Sequence, residues 1–192
     1  PGVLVVTAMQ IAATESLWPT MGLLRWGGVY KAILATPITS AELGVAHVMW
    51  LGFRAFVAGS SFLLVLALAG AIGSWLGVFT AIVAVLVAWA HAAPLVALTV
   101  GLERENIFPM ISRVIIFPLF LFSGAFFPVE DMPSAVGAFA KITPSWHGVE
   151  LARHLATGDL VQADLFHLCY LVVFCAAGFF LVQRRFRKHL DI

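Results

Sequence analysis

The sequence is poor in charged residues and in cysteine, and each shortage excludes a class of protein. Only 11% of its 192 residues are charged and 61% are hydrophobic, whereas a soluble domain carries about 25% charged residues. Cys169 and Cys175 have neither a CxxC spacing nor a histidine at metal-ligand spacing, so we expect two small buried hydrophobes. The dipeptide Gly-Lys is absent, which excludes a G-x-x-x-x-G-K-[ST] phosphate loop from this chain.

Long apolar segments stand where charged residues are lacking. A bilayer core of about 30 Å requires roughly 20 apolar residues in a helix. Five segments have this character: residues 3–24, 45–69, 75–102, 112–127 and 165–182. Lipid offers no partner to unpaired backbone groups, and the sequence has no alternating barrel pattern. It therefore predicts an all-α, polytopic membrane protein with five spans.

Basic residues are divided unequally between the segments that join these spans. Placing the C-terminal end in the cytoplasm makes 25–44, 103–113 and 184–192 cytoplasmic, and puts the turn 70–74 and the loop 128–164 outside. The cytoplasmic segments then contain eight basic residues: Arg25, Lys31, Arg104, Arg113, Arg184, Arg185, Arg187 and Lys188. The outer segments contain only Lys141 and Arg153. This bias predicts a cytoplasmic C-terminus.

The polar segment 25–44 is predicted to contain a proline break between two helices. A short helix can cover 29–35, and Pro37 ends it because the residue before proline disfavours the α conformation. Thr or Ser at 39–40 can then cap a second helix, with Glu42 in its first turn, where the helix dipole favours an anion. These residues alone fit either an amphipathic connector or a docking element for a partner.

Three motifs resemble those of the ABC-2 type permeases of ATP-binding-cassette exporters. They are KAILATPITSAEL (31–43), FSGAFFPVEDMP (122–133) and TPSWHGVELARHLATGD (143–159). Their order and spacing are similar to those of the branch that contains nodulation lipo-oligosaccharide exporters and daunorubicin-resistance permeases. The resemblance covers nearly all of residues 1–192.

This resemblance implies an assembly as well as a fold. The family has six spans with both ends cytoplasmic, so we expect an N-terminal surface helix and a first span to precede Pro1, where the chain enters an apolar segment at once. It also implies a permease dimer and two ATPase subunits, which use ATP and Mg²⁺, while this chain has no catalytic residue, cofactor or metal of its own. The residues implied to contact the ATPase are Tyr30, Lys31, Ala32, Ile33, Leu34, Ala35, Thr36 and Pro37.

The loop 128–164 is expected to cap the outer side of the protein. Short helices are predicted at 133–141 and 145–156, and the aromatic residues and prolines around them suit a partly buried interfacial structure. The residues assigned to this cap are Phe126, Phe127, Pro128, Glu130, Asp131 and Trp146. The cap could be a helical cover on the dimer or could contact the substrate directly.

Three ionisable residues inside the predicted spans are functional candidates, because a charge in the bilayer core is costly and usually has a partner. They are Glu15, Arg54 and His91. Arg54 could form a structural ion pair, with Glu15 as the candidate partner, or line a pathway, and His91 could be a satisfied interior histidine or a proton relay. A protease interpretation of Gly59-Ser60-Ser61-Phe62 with His91 as base is weaker, because small residues commonly allow close helix packing.

These observations favour a membrane subunit of an ATP-driven exporter in the bacterial inner membrane, not an enzyme. Its substrate would be amphipathic, lipid-linked or drug-like, moved out of the cytoplasm or the inner leaflet. The alternative is a secondary transporter or channel that uses the three intramembrane ionisable residues. The basic tail 184–188 is expected to contact anionic lipid rather than nucleic acid.

Overall fold

The computed structural model describes residues 1–70 and 73–191, and every element that it assigns there is helical. Three helical segments have the length and hydropathy to cross a bilayer: Ser40–Leu68, Trp75–Val100 and Gln162–Leu190. The predicted all-α, polytopic membrane fold is therefore confirmed. The predicted outer turn 70–74 includes residues 71 and 72, which lie outside the described residues.

The helices in chain order are α1 (Gly2–Glu15), α2 (Trp18–Met21), α3 (Val29–Leu34), α4 (Ser40–Leu68), α5 (Thr80–Val100), α6 (Phe108–Ile111), α7 (Phe117–Leu121), α8 (Ser134–Ile142), α9 (Pro144–Thr157) and α10 (Gln162–Leu190). A π-helical turn, Gly22–Trp26, follows α2, and another, Ser112–Ile116, joins α6 to α7. A 3-10 turn, Trp75–Phe79, leads directly into α5.

Helices α1 and α5 form the centre of the bundle, with α4, α9 and α10 packed around them. Small side chains allow this close approach, because Ala84, Ala88 and Ala92 of α5 are all buried to the backbone. Gly148 of α9 sits so near α5 that an added Cβ would lie 2.2 Å from Val87 Cγ2. The outer helix α9 is thus fixed directly to the core of the bundle.

The first predicted span, 3–24, is not one continuous helix. It breaks after α1 at Leu17, whose backbone has φ −100° and ψ −96°. Hydroxyl groups satisfy the backbone carbonyls that the break leaves unpaired. Thr20 Oγ1 donates to the carbonyl oxygen of Glu15 at 3.0 Å, and Thr99 Oγ1 donates to the carbonyl oxygen of Ser16 at 2.8 Å. Such side-chain partners make a broken helix tolerable in lipid.

The fourth predicted span, 112–127, is also irregular and ends early. Its helical part stops at Leu121, six residues before the predicted end. Gly124 has φ +82°, a conformation that no residue with a side chain adopts easily, and Ser123 Oγ donates to the Phe120 carbonyl at 2.8 Å. These turn contacts end the helix, and the five-span count stays a prediction.

The two cysteines differ in environment. Cys175 is buried, and its Sγ lies 3.1 Å from the carbonyl oxygen of Leu86, as expected for a small interior residue. Cys169 is exposed on α10, so its predicted burial is wrong for this chain. The helix turns that residue away from the bundle.

Candidate functional site

The polar segment 25–44, called the docking segment below, forms as its local sequence requires. Gly28 has φ +62°, which turns the chain sharply into α3, and α3 ends at Leu34 before Pro37. Thr39 then caps α4 in a capping box: its Oγ1 accepts from the Glu42 amide at 3.3 Å, and its own amide donates to Glu42 Oε2 at 2.9 Å. The break between two helices is therefore confirmed, with α3 one residue shorter than predicted.

Most of the residues implied to contact an ATPase lie on the surface of this segment. Lys31, Ala32, Ala35, Thr36 and Pro37 are exposed, and Ile33 and Leu34 are half-buried. Tyr30 differs from the others because it is only 2% exposed. Seven of the eight residues thus remain accessible to a partner, whereas Tyr30 is buried and packs against other helices.

Tyr30 connects the segment to two long helices. Its ring packs edge-on against His47 of α4, with 5.8 Å between centroids, and lies 6.0 Å from the ring of Phe186 on α10. The Nε2 atom of His47 is in turn 2.9 Å from Thr20 Oγ1 on α2. A displacement of α3 would therefore act on α2, α4 and α10 together.

Two of the intramembrane candidates form an ion pair. Arg54 Nη1 on α4 donates to Glu15 Oε2 at the end of α1, at 2.7 Å. The Arg54 side chain is 45% exposed and that of Glu15 is 22% exposed. The pairing that the sequence suggested is confirmed, and it ties α4 to the break in the first span.

His91 belongs to a different set of contacts. Its Nδ1 is 2.8 Å from the Val87 carbonyl, and its Nε2 is 3.0 Å from Ser145 Oγ at the start of α9. Within the described parts of the chain, His91 forms no hydrogen bond with Glu15 or Arg54. The Ser61 hydroxyl donates to the Val57 carbonyl of its own helix and not to His91. His91 is a satisfied interior histidine, and the protease arrangement does not form.

The ion pair gives a prediction that separates a structural role from a charge relay. We expect Arg54→Leu to destabilise the protein by about 2–3 kcal/mol, because it leaves the Glu15 carboxylate without its partner at membrane depth. The neutral double variant Glu15→Gln/Arg54→Gln should recover most of that loss. Thermal unfolding in detergent checks both, and an unchanged midpoint for Arg54→Leu would contradict a stabilising pair.

The outer cap contains both predicted short helices, α8 and α9, within two residues of their expected bounds. Phe126, Phe127, Pro128, Glu130 and Asp131 are exposed, and Trp146 is half-buried. Phe126 packs on Phe120 with 5.0 Å between ring centroids. The Lys141 ammonium lies 5.9 Å from the centre of a Trp146 ring. All of the residues assigned to this cap except the half-buried Trp146 are exposed on the surface of this segment, and its position on the outer side stays a prediction.

Histidines that the sequence analysis did not name as site residues join α9 to α10. His147 Nδ1 of α9 lies 2.6 Å from His167 Nδ1 of α10, and His154 Nδ1 lies 2.6 Å from Asp164 Oδ1. Burial, with a contribution from His167, lowers the pKa of His147 to about 4. His147 and His154 are seven residues apart on α9, a spacing that places both on one helix face and could have revealed the contact.

These helices define a polytopic membrane protein with a proline-broken surface segment on one side and a two-helix cap formed by α8 and α9. A family model described as ABC-2 type transporter matches residues 1–156. The chain belongs to the ABC-2 type transporter family, whose members are membrane transport subunits that partner with ABC ATPase subunits.

Similarity to two nodulation proteins supports the same family. Nodulation protein J of Rhizobium leguminosarum bv. viciae is 25% identical over 190 residues, which cover 98% of this chain and 73% of the relative. Nodulation protein J of Rhizobium meliloti (strain 1021) is 27% identical over 191 residues, 98% of this chain and 72% of the relative. No solved structure matches the chain.

Proposed function

We propose that this chain is the transmembrane permease subunit of an ATP-driven exporter in a bacterial inner membrane. Two copies of the permease would assemble with two separate ATPase subunits, which bind and hydrolyse ATP with Mg²⁺. The observation that supports this most directly is α3, an exposed helix whose one buried residue, Tyr30, contacts two long helices. A surface helix with such a buried contact could transmit a displacement imposed by a partner to the two long helices.

The proposed mechanism follows the contacts of Tyr30. Closure of the ATPase pair on ATP displaces α3, and the packed rings of Tyr30, His47 and Phe186 carry the displacement into α4 and α10. Packed interfaces switch between discrete arrangements rather than deform continuously, so a small displacement can change the helix packing. The cap residues would then open or close the exit on the outer side.

The proposed substrate is amphipathic, lipid-linked or drug-like. The similarity to nodulation protein J and the resemblance to lipo-oligosaccharide and drug exporters support this class. The positive-inside bias of the sequence supports a position of α3 and the tail 184–188 on the ATP-containing side. Export from the cytoplasm or inner leaflet is proposed from the family resemblance alone. The same bias supports a cytoplasmic C-terminus.

The energy source distinguishes this proposal from a secondary transporter. Proteoliposomes containing the full-length permease and its ATPase are expected to translocate a fluorescent short-chain phospholipid when ATP and Mg²⁺ are supplied without an ion gradient. A proton gradient in the absence of ATP should give only the rate of empty liposomes. Gradient-driven translocation by the permease alone would instead support a charge relay and overturn the proposal.

A further inference from the structure

A groove of about 960 Å³ lies between the docking segment and the C-terminal end of α10. On one side it is lined by Tyr30 and Lys31 of α3 and by Ser40 at the start of α4. On the other side it is lined by Arg187 and His189. The volume is within the range of about 300–1,000 Å³ that is typical of ligand pockets.

The groove is predominantly cationic. Three permanent cations line it, Arg25, Lys31 and Arg187, together with one carboxylate, Asp191. Arg25 Nη2 donates to the Leu102 carbonyl at 3.2 Å, which fixes its guanidinium beside the groove. Lys31 and Arg187 are exposed and are not among the residues that form ion pairs in the described chain. This excess of positive charge favours an anionic ligand.

Two buried hydroxyls point to a ligand independently of the charges. Tyr30 and Ser40 both line the groove and are each 2% exposed, yet their hydroxyl oxygens have no hydrogen-bond partner within the described residues. Buried polar groups are nearly always bonded, so each hydroxyl is expected to bond either a water molecule or a ligand atom that enters from the groove. Burial also raises the pKa of Tyr30, so its hydroxyl keeps the proton that it can donate.

The surroundings place this groove at the boundary between lipid and water. Helix α10 carries an 18-residue stretch of mean hydropathy 2.4 and ends in the basic run 184–188. Trp26 and Ile38, on the same docking segment, are 60% and 46% exposed. Exposed aromatic and aliphatic side chains beside clustered cations are typical of the headgroup region of a membrane.

We propose that this groove binds the phosphate group of an anionic phospholipid. Arg187 would pair with the phosphate, Tyr30 and Ser40 would donate hydroxyl hydrogen bonds to its oxygens, and Trp26 and Ile38 would contact the acyl region. The bound lipid would connect the docking segment to the end of α10. The proposal concerns lipid binding by this chain and does not depend on the proposed exporter function.

Neighbouring arginines on α10 provide a matched test. Arg187 lines the groove, whereas Arg184, with the same charge and also exposed, does not. Native mass spectrometry of the full chain, purified with phosphatidylglycerol, should show about tenfold weaker lipid retention for Arg187→Gln. Arg184→Gln should stay within about twofold of the parent. Equal losses would reveal general attraction of the basic tail to lipid and overturn the site.

The orphan hydroxyls permit a second test in which stability and binding change in opposite directions. Tyr30→Phe and Ser40→Ala each remove a polar group that has no partner in the described chain, so lipid-free protein should be at least as thermally stable as the parent. Both variants should nevertheless retain less phosphatidylglycerol. Unchanged lipid retention in both variants would remove the hydroxyls from the site and overturn the proposal.

A free phosphate ion could in principle use the same groups, so its contribution is measured separately. Inorganic phosphate at millimolar concentration should not displace phosphatidylglycerol, and phosphatidylcholine should be retained more weakly because its headgroup has no net charge. Displacement by inorganic phosphate would identify a soluble anion as the ligand and overturn the lipid assignment. All of these measurements are made without an ATPase, so their failure differs from failure of the exporter proposal.

Discussion

Lys31→Glu is expected to reduce capture of the partner ATPase at least about tenfold while leaving membrane insertion unchanged. Lys31 is exposed on α3 and is not part of an ion pair in the described chain, so charge reversal should change a contact surface rather than the fold. Introducing a like charge into a complementary interface commonly costs more than one factor of ten. Co-purification of the ATPase with the tagged permease measures the effect.

Leu34→Asp should act in the same direction through lost apolar contact, since Leu34 is half-buried at the end of α3. Lys188→Glu is the matched control, because it reverses an exposed charge on α10 outside the docking segment. That variant should capture the ATPase at close to the parent level. Equal loss in Lys31→Glu and Lys188→Glu, or failure of Lys31→Glu to accumulate in the membrane, would contradict docking at α3.

The features that could be predicted from sequence are those fixed by neighbouring residues. Pro37 restricts the residue before it, and Thr39 and Glu42 satisfy each other's backbone groups within one turn. The start of α4 was therefore predictable to within one residue. The starts of α8 and α9 follow similarly from Pro133, which precedes α8, and from Pro144, the first residue of α9, because proline fits the first turn of a helix but not its interior.

Two features that escaped prediction are stabilised by residues distant in sequence, although Pro19 in the first turn of α2 is a local signal for the first of them. The break at Leu17 is tolerated because Thr99, 83 residues after Ser16, donates to the carbonyl released there. The burial of Tyr30 depends on Phe186, a residue of the last helix that no local pattern connects with α3. Apolar periodicity could not distinguish a continuous span from a broken one. A broken span keeps the same apolar residues, and hydroxyl side chains satisfy the backbone groups that the break leaves unpaired.

The surface segment that carries the candidate site was predictable in position, but the burial of its individual residues was not. The resemblance placed eight consecutive residues at an ATPase contact, whereas the structure separates an exposed surface around Lys31 from the buried Tyr30. The Glu15 and Arg54 pair was suggested only by the free-energy cost of a charge in lipid, since two opposite charges cost less when paired than when apart. Sequence chemistry identifies which residues need partners, and packing decides which partners they find.

Gly52→Ala is expected to be the most damaging single-methyl change in the bundle. A Cβ at this position would lie 2.0 Å from Trp89 Nε1 and 2.5 Å from Trp89 Cε2. Moving the indole aside would break the hydrogen bond that its Nε1 donates to the Val48 carbonyl at 3.1 Å and would disturb its packing on Phe179. Overpacking of this kind costs about 1–3 kcal/mol or more, which outweighs the gain of at most about 1 kcal/mol in helix propensity.

Gly59→Ala on the same helix is the matched control. Its added Cβ would lie 3.5 Å from Leu4 Cδ2 and 3.6 Å from Ala84 Cβ, ordinary contact distances, so the propensity gain should make it neutral or slightly stabilising. Thermal unfolding in detergent should rank Gly52→Ala well below the parent and Gly59→Ala near it. Trp89→Phe should partly rescue Gly52→Ala, because phenylalanine lacks the clashing Nε1 atom. Equal midpoints for the two alanine variants would show that α4 and α5 do not meet at Gly52 and Trp89.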